Sequence, residues 1–368
     1  MTRQESHLDF SQEHEREPNN GISFGMYLPE YVLTNNEVEN WKHTNGGLVV
    51  DAKGRHITAD GIMKRTGIER RYIAAPHETT LFMGEEAAKR ALRSGDKVDS
   101  VFFSSSYPIG VNQATKLSHD LGLSNRGGNL EIGAACSGFV RGLTFIKERE
   151  RRYQGQNILF VTSEKYSDTC ADLREISPYE EPSQAQLIFS DGAVTTRLTY
   201  GKDFQILTAR NHSIDSDAIT MPIDTSKRVA PHLCEPVPHS PFFWQDGGAV
   251  LRTVVSEVPP LIDEVVEAAG LKPEDIKFVI PHQPSRHLLE SLSKRSRYTL
   301  VADFASGNFS SASIPKALKG IIEGQEMSAY RDGVALSNQQ YTINPGDKVV
   351  LAGFGAGFFA SVVVIEFL

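Results

Sequence analysis

From Gly21 onward, short apolar runs alternate with stretches in which apolar residues recur every three or four positions, the pattern of an α/β chain. Val101-Phe102-Phe103, Ile158-Leu159-Phe160-Val161, Leu187-Ile188-Phe189 and Phe204-Gln205-Ile206-Leu207 read as strands. Leu130-Glu131-Ile132 reads as the end of a buried strand, and Phe139, Val140, Leu143 and Ile146 follow it at helical spacing. Further on, the pattern predicts a helix around Val255 to Ala269. Strands are expected at Phe278-Val279-Ile280, Val349-Val350-Leu351 and Val362-Val363-Val364-Ile365. Residues 1–20 break the pattern: they are polar and mixed in charge, as in Glu13-His14-Glu15-Arg16-Glu17, and are expected to be disordered or loosely docked.

Composition narrows the class without choosing a function. With 368 residues and 40% hydrophobic content, the chain can bury a large core and is long enough for two domains or two fused halves. Cys136, Cys170 and Cys234 are odd in number and widely spaced, so neither a disulfide framework nor a metal site is expected, and a reducing compartment fits. No stretch reads as a signal peptide or reaches the length of a membrane span, so a soluble, cytoplasmic protein is expected. Neither a membrane nor a nucleic-acid partner is anticipated.

The candidate chemistry gathers around one thiol. In Gly133-Ala134-Ala135-Cys136-Ser137-Gly138-Phe139, small residues crowd Cys136 where a strand turns into a helix. A helix N-terminus favours thiolate over thiol, so Cys136 is read as an activated nucleophile. Taken alone, such a cysteine is more often a small core residue. Pro281-His282-Gln283-Pro284 places His282 at a strand end, where α/β folds put catalytic groups. Asn308 lies in the small-residue turn Gly307-Asn308-Phe309-Ser310-Ser311 before another helix. The turn Gly353-Phe354-Gly355-Ala356-Gly357-Phe358 lies between two strands, where backbone N–H groups can approach a ligand and form half of an oxyanion hole. Asp191-Gly192 reads better as a structural turn than as a reacting pair.

Taken in order along the chain, these segments resemble the β-ketoacyl-acyl carrier protein synthase III family of thiolase-superfamily condensing enzymes. The resemblance also rests on Tyr27-Leu28-Pro29-Glu30, Arg65-Thr66-Gly67-Ile68, Phe189-Ser190-Asp191-Gly192-Ala193 and His282-Gln283, and runs from about Gly21 to Leu368. It implies a five-layered αβαβα thiolase fold. Its two pseudo-equivalent halves would span residues 21–200, carrying the nucleophile, and 201–368, carrying the His and Asn. It also implies a Cys136, His282, Asn308 triad, an oxyanion hole from the N–H groups of Cys136 and Ala356, no cofactor, a homodimer, and an acyl carrier protein or other acyl thioester as partner. The expected reaction loads an acyl group on Cys136. A malonyl-type thioester then loses CO2 while His282 and Asn308 hold its enolate, which attacks the acyl group.

Departures from the family pattern bear on substrate choice. The adenine of coenzyme A is usually held between a Trp and an Arg, and the matching positions here are Gly61 and Ser183, neither of which can stack. A carrier protein or another thioester is therefore the expected donor, with Arg252, Lys294 and Arg295 at the family's docking positions. Ile109, Gly110, Val111 and Phe354 are the expected substrate-pocket residues, and Gly110, where a bulky residue is common, implies a deeper pocket. The segment Met327–Thr342 is extra and reads equally as a flap over the entrance or a surface excursion. Two other functions use the same residue types. One is acyl transfer from Cys136 to an alcohol or amine, which CO2 release would distinguish. The other is papain-like hydrolysis, which the missing Gln before the cysteine and Trp after it disfavour.

Overall fold

The computed structural model describes residues 21–43, 46–51, 54–106, 112–123, 127–170, 184–216, 218–220 and 244–368. The expectations placed on residues 1–20, Ile109, Gly110, Val111, Ser183 and Cys234 lie outside these.

Two sheets carry the structure. The first has strands β1 (Ser23–Tyr27), β2 (Ser100–Ser104), β3 (Gly128–Ile132), β4 (Asn157–Glu164) and β5 (Gly192–Thr199), in the order β1-β5-β4-β2-β3. The second has β6 (Phe204–Ser213), β7 (Ile276–Pro281), β8 (Leu300–Ala302), β9 (Glu326–Arg331), β10 (Val334–Gln340), β11 (Lys348–Gly355) and β12 (Phe359–Phe367), in the order β6-β12-β11-β7-β8-β9-β10. The first five strands of that list repeat the first sheet in both order and direction. In each sheet the outer pairings are antiparallel (β1 with β5, β5 with β4; β6 with β12, β12 with β11), and the next two are parallel.

Helices α3 (Gly138–Glu148) and α6 (Ser313–Ile322) lie between the sheets. Helices α1 (Thr80–Ala91) and α2 (Gln113–Asp120) cover the outer face of the first sheet, and α4 (Gly247–Ala268) and α5 (Arg286–Ser293) that of the second. Strand alternation sorts the apolar side chains among these layers. Phe102 and Phe160 point into the central layer with Phe139, Leu143 and Ile146 of α3, whereas Val101, Phe103, Leu159 and Val161 pack outward against Ala88, Ala114 and Leu117. Central strands buried on both faces explain why they read as continuous apolar runs.

Helix α4 starts earlier than the periodicity predicts, because the Asp246 carboxylate caps the N–H groups of Gly248 and Ala249 at 2.8 and 2.9 Å. Leu187-Ile188-Phe189 is not a sheet strand. Residues 184–187 form a 3-10 turn, Phe189 makes an isolated bridge to Asn308, and the strand at this point is Gly192–Thr199. The carbonyl of Leu187 is taken by the fully buried guanidinium of Arg71, and the run is buried by side-chain packing, Leu187 among Leu33, Val38 and Ile62 and Phe189 against the Tyr166 ring, rather than by a ladder. Strand β3 is half-exposed at the sheet edge rather than fully buried. The extra Met327–Thr342 segment forms the β9–β10 hairpin, turned at Asp332-Gly333, both with positive φ, and lengthens the second sheet. Its turn rests on α5, with Gly333 N donating to Ser293 Oγ at 3.0 Å.

Close approach between layers depends on glycine at Gly25 of β1. A Cβ there would lie 2.0 Å from the carbonyl oxygen of Ala87 and 2.5 Å from the nitrogen of Ala91, both backbone atoms of α1. Neither can swing aside. Gly25→Ala is expected to destabilise the fold by about 3 kcal/mol, the upper end of overpacking costs, measured by chemical denaturation; an unchanged midpoint would mean that α1 is free to move off the sheet.

Candidate active site

Two pseudo-equivalent turns meet between the sheets. After β3 the chain makes the 3-10 turn Ala135–Ser137 and enters α3; after β8 it makes Ser310–Ala312 and enters α6. Each turn has one non-glycine residue in the left-handed region, Ala135 at φ 42° and Ser310 at φ 50°. Such conformations are sparsely populated and gather at functional sites. The first turn is pinned by Ser137, whose N–H and Oγ both donate to the Ala134 carbonyl, at 3.0 and 2.6 Å.

Cys136, His282 and Asn308 line one narrow cavity of about 30 Å³, together with Phe354, Gly355 and Ala356. His282 emerges just past β7, its N–H donating to the Ala352 carbonyl at 2.8 Å. Its ring packs edge-on against Phe354, 5.3 Å between centroids, so Phe354 orients the histidine besides lining the cavity. Burial pulls the His282 pKa down to about 3, and the imidazole is neutral. Nδ1 is buried with no hydrogen-bond partner among the described residues. That leaves Nε2 as the nitrogen to meet a ligand, as a donor in the neutral tautomer that carries its proton there.

The next residue, Gln283, serves the frame. Its Oε1 accepts from Asp303 N at 2.6 Å, and Asp303 in turn pairs with the buried Lys316 of α6.

Asn308 is fixed by its backbone and its amide oxygen. Its N–H donates to the Ile188 carbonyl at 2.7 Å and its carbonyl accepts from Ser190 N at 2.9 Å. Its Oδ1 accepts from Ser310 N at 2.8 Å and Ser313 Oγ at 3.4 Å. The NH2 is thereby the end that can donate into the cavity. Asp191 does act as a structural turn residue: its carboxylate accepts from Ala74 N at 2.8 Å and Ser167 N at 3.1 Å.

The glycine-rich turn packs directly on the nucleophile. A Cβ on Gly355 would lie 3.0 Å from Cys136 Cβ and 3.1 Å from Cys136 N. One on Gly353 would lie 2.9 Å from Ser137 Cα. Glycine is needed here for space, and the contact brings the Ala356 backbone to the cavity.

Burial works against the activation of Cys136 expected from its place at a helix entry. Burial pushes the thiol up to about 12, a donated hydrogen bond from Ser310 counteracts this, and the nearby Glu164 charge raises it further. Helix α3 begins two residues later, at Gly138, and the closed cavity strips the thiol of hydration.

Sequence reasoning missed the polar cluster beneath Cys136. Ser310 Oγ donates to Cys136 Sγ at 3.3 Å and lies 3.0 Å from Ser106 Oγ and 3.3 Å from Tyr166 Oη. Ser106 Oγ donates to the fully buried Glu164 at 3.1 Å. The only signal in the chain is an acidic residue closing an apolar strand, Asn157–Glu164. Beyond the stacked rings of Tyr166 and Phe189, 3.8 Å between centroids, lies a second cavity of about 210 Å³ lined by Tyr31, Trp41, Ile73 and Cys170.

Among the described residues no group of His, Cys, Asp and Glu is arranged to hold a metal, and no helix is long and apolar enough to cross a membrane. Gly61 lies in the helix Ala59–Thr66, where a Cβ would meet only the Oγ1 of the capping Thr58, at 2.9 Å. Arg252, Lys294 and Arg295 are exposed on α4 and at the end of α5, two helices that pack together, and the cavity holds none of them.

A duplicated five-strand order enclosing two central helices, with a cysteine on one helix-entry turn, defines the thiolase fold of condensing acyltransferases. The family model for 3-oxoacyl-acyl carrier protein (ACP) synthase III matches residues 130–214, and that for its C-terminal part matches residues 266–338. A β-ketoacyl-acyl carrier protein synthase III of Acidiphilium cryptum is 32% identical over 359 residues, covering 93% of this chain and 97% of the relative. Its counterpart in Granulibacter bethesdensis is 29% identical, covering 90% and 94%. The crystal structure of the 3-oxoacyl-acyl carrier protein synthase III of Aquifex aeolicus superposes with a TM-score of 0.71 at 26% identity, covering 94% of this chain and 98% of that one. The chain belongs to the β-ketoacyl-acyl carrier protein synthase III family.

His282 is expected to show no imidazole protonation by ¹⁵N NMR at any pH above about 4, given a pKa near 3. In the unfolded chain the same ring takes up a proton near pH 6.5, so folding stability should fall as pH drops below about 6.5. A His282 titration near neutrality would show that the ring is not desolvated.

Proposed function

We propose that this chain loads an acyl group from a thioester onto Cys136 and joins it, by decarboxylative Claisen condensation, to a malonyl-type or related β-keto thioester. What supports this most directly is the single cavity shared by Cys136, a neutral His282, Asn308 and the Gly355-Ala356 turn. In the first half-reaction the Cys136 sulfur forms a bond to the thioester carbonyl, and the donor thiol leaves. The N–H groups of Cys136 and Ala356 hold the intermediate oxyanion. In the second, the extender's carboxylate departs as CO2, and Nε2–H of His282 and the Asn308 NH2 hold the enolate oxygen. The enolate carbon attacks the acyl group and expels the Cys136 thiolate. A charged His282 is not required, since a neutral donor serves the enolate and avoids burying a cation.

The repeated strand order supports reading the chain as two halves, 21–200 and 201–368, with the nucleophile on the first and His282 and Asn308 on the second. A homodimer is part of this reading. So is a carrier protein, whose acidic surface would meet Arg252, Lys294 and Arg295; among the described residues none of the three forms an ion pair. Gly61 offers no ring for an adenine, which favours a carrier-borne acyl group over coenzyme A.

Intact-protein mass spectrometry after incubation with acyl thioesters should show an acyl adduct on wild type and none on Cys136→Ala. His282→Ala and Asn308→Ala should still load, while CO2 release from malonyl thioester falls about 100- to 1,000-fold. Loading with no CO2 release by wild type would point instead to transfer onto an alcohol or amine. Reversing Lys294 and Arg295 to Glu should raise KM for a carrier-bound substrate, with kcat unchanged; equal KM values would remove those residues from docking.

A further inference from the structure

Among the described residues, Glu164 is the one charged side chain joined to the nucleophile by hydrogen bonds, and nothing in the condensation mechanism uses it. It closes β4 with no exposed surface. It accepts from Ser106 N at 2.9 Å, Ser106 Oγ at 3.1 Å, Ser311 N at 3.2 Å and Ser311 Oγ. Among the described residues no cation pairs with it: the neighbouring Lys165 reaches the Ala75 carbonyl and Asp168 instead. The other groups facing it are Cys136 and Tyr166, and across the cavity lies the uncharged His282. Asp191 is tied to the backbone of Ala74 and Ser167.

We infer that Glu164 is the proton acceptor for Cys136, reached through the hydroxyls of Ser310 and Ser106. The three links measure 3.3, 3.0 and 3.1 Å, each within hydrogen-bond reach. Ser310 Oγ is the donor to Cys136 Sγ in the structure; for the relay its hydroxyl turns to Ser106 Oγ, so that Cys136 S–H donates to Ser310 Oγ, Ser310 O–H to Ser106 Oγ, and Ser106 O–H to the carboxylate. Each proton then moves one step along. The Cys136 sulfur keeps its electron pair as thiolate, both serines remain neutral hydroxyls, and Glu164 becomes the neutral acid. Ser310 O–H now donates to sulfur, and Tyr166, whose hydroxyl burial holds protonated, lies 3.3 Å from the same Ser310 oxygen.

The physical case is charge conservation in a dry cavity. Burial is the main reason the thiol resists ionising on its own, and the Glu164 charge beside it disfavours a second anion further. Moving the proton to Glu164 keeps a single negative charge buried before and after the step. Burial lifts Glu164 to about 7, so it can take and return a proton near neutrality. When condensation expels the Cys136 thiolate, the same protons run back. The departing donor thiolate takes its proton from solvent, matching the one proton that decarboxylative condensation consumes overall. Glu164 touches neither sulfur nor substrate, so it is a positioning and proton-holding residue, with Ser310 as its contact to sulfur.

This inference rests on the reading that Cys136 is acylated, and its test separates the two. The full-length wild type, Glu164→Gln, Ser106→Ala and Ser106→Thr would be treated with iodoacetamide across about pH 5.5 to 9.5. Alkylation of Cys136 would be followed by peptide mass spectrometry, and acyl loading timed in parallel. Wild-type rates should rise with pH through an inflection near 7, the range in which Glu164 ionises. Glu164→Gln and Ser106→Ala should lose that inflection and load about 100-fold more slowly at neutral pH. Ser106→Thr, which keeps the hydroxyl, should recover both. A wild type without the inflection, variants that retain it, or a Ser106→Thr as slow as Ser106→Ala would each overturn the relay. Iodoacetamide labelling with the expected pH profile, but no acyl adduct from any thioester, would support the relay and sink the loading reading.

Discussion

Everything at the site depends on how closely two chain turns approach each other between the sheets. Gly138, the first residue of α3, leaves room for this: a Cβ there would lie 1.9 Å from Ser104 Oγ and 3.2 Å from Ser311 Cβ. Gly353 and Gly355 allow the β11–β12 turn to press on the same spot from the second sheet. Ala135 and Ser310 take up the left-handed conformations that let both turns fold sharply into their helices. The cost of that backbone is met by the buried layers around it. The cavity is what remains between parts held this tightly.

Dry confinement then governs the chemistry. The same desolvation that raises the Cys136 and Glu164 pKa values lowers that of His282. The site therefore holds a neutral thiol, a neutral imidazole and one shareable negative charge. Such an arrangement favours steps that move charge without creating it, and it keeps fixed donors in place where an oxyanion or enolate would form. The stacked Tyr166 and Phe189 rings separate this small chamber from the larger cavity beside Trp41.

Membership of the family accounts for the frame, and the departures lie around it. The β9–β10 hairpin widens the second sheet and rests its turn on α5, against Ser293 and the stem of Lys294. It lies at the surface, on the edge of the second sheet, and none of its residues lines the cavity. Between Trp41 and Ile62 the chain is drawn together by the bridges Lys42–Leu48 and Val50–His56, and the Asp51–Arg55 pair closes the second of them at 2.7 Å.

Local sequence determined a good part of this. A small-residue turn between an apolar strand and a helix-period run announced Cys136, because such turns need small side chains. A His after a buried strand and an Asn in a glycine turn announced His282 and Asn308 for the same local reasons. The run Leu187-Ile188-Phe189 misled, since an apolar triplet looks alike whether a ladder or a ring stack buries it. The duplication was invisible in the residues because the two halves share strand order and direction, and packing can preserve those with different side chains. Only the tertiary structure placed Ser106, Glu164, Tyr166 and Ser310 beneath the thiol, from segments as much as 204 residues apart. It alone showed that burial raises the pKa of Cys136: a pKa depends on the solvent and charge that the whole fold leaves around a group, which no local pattern records.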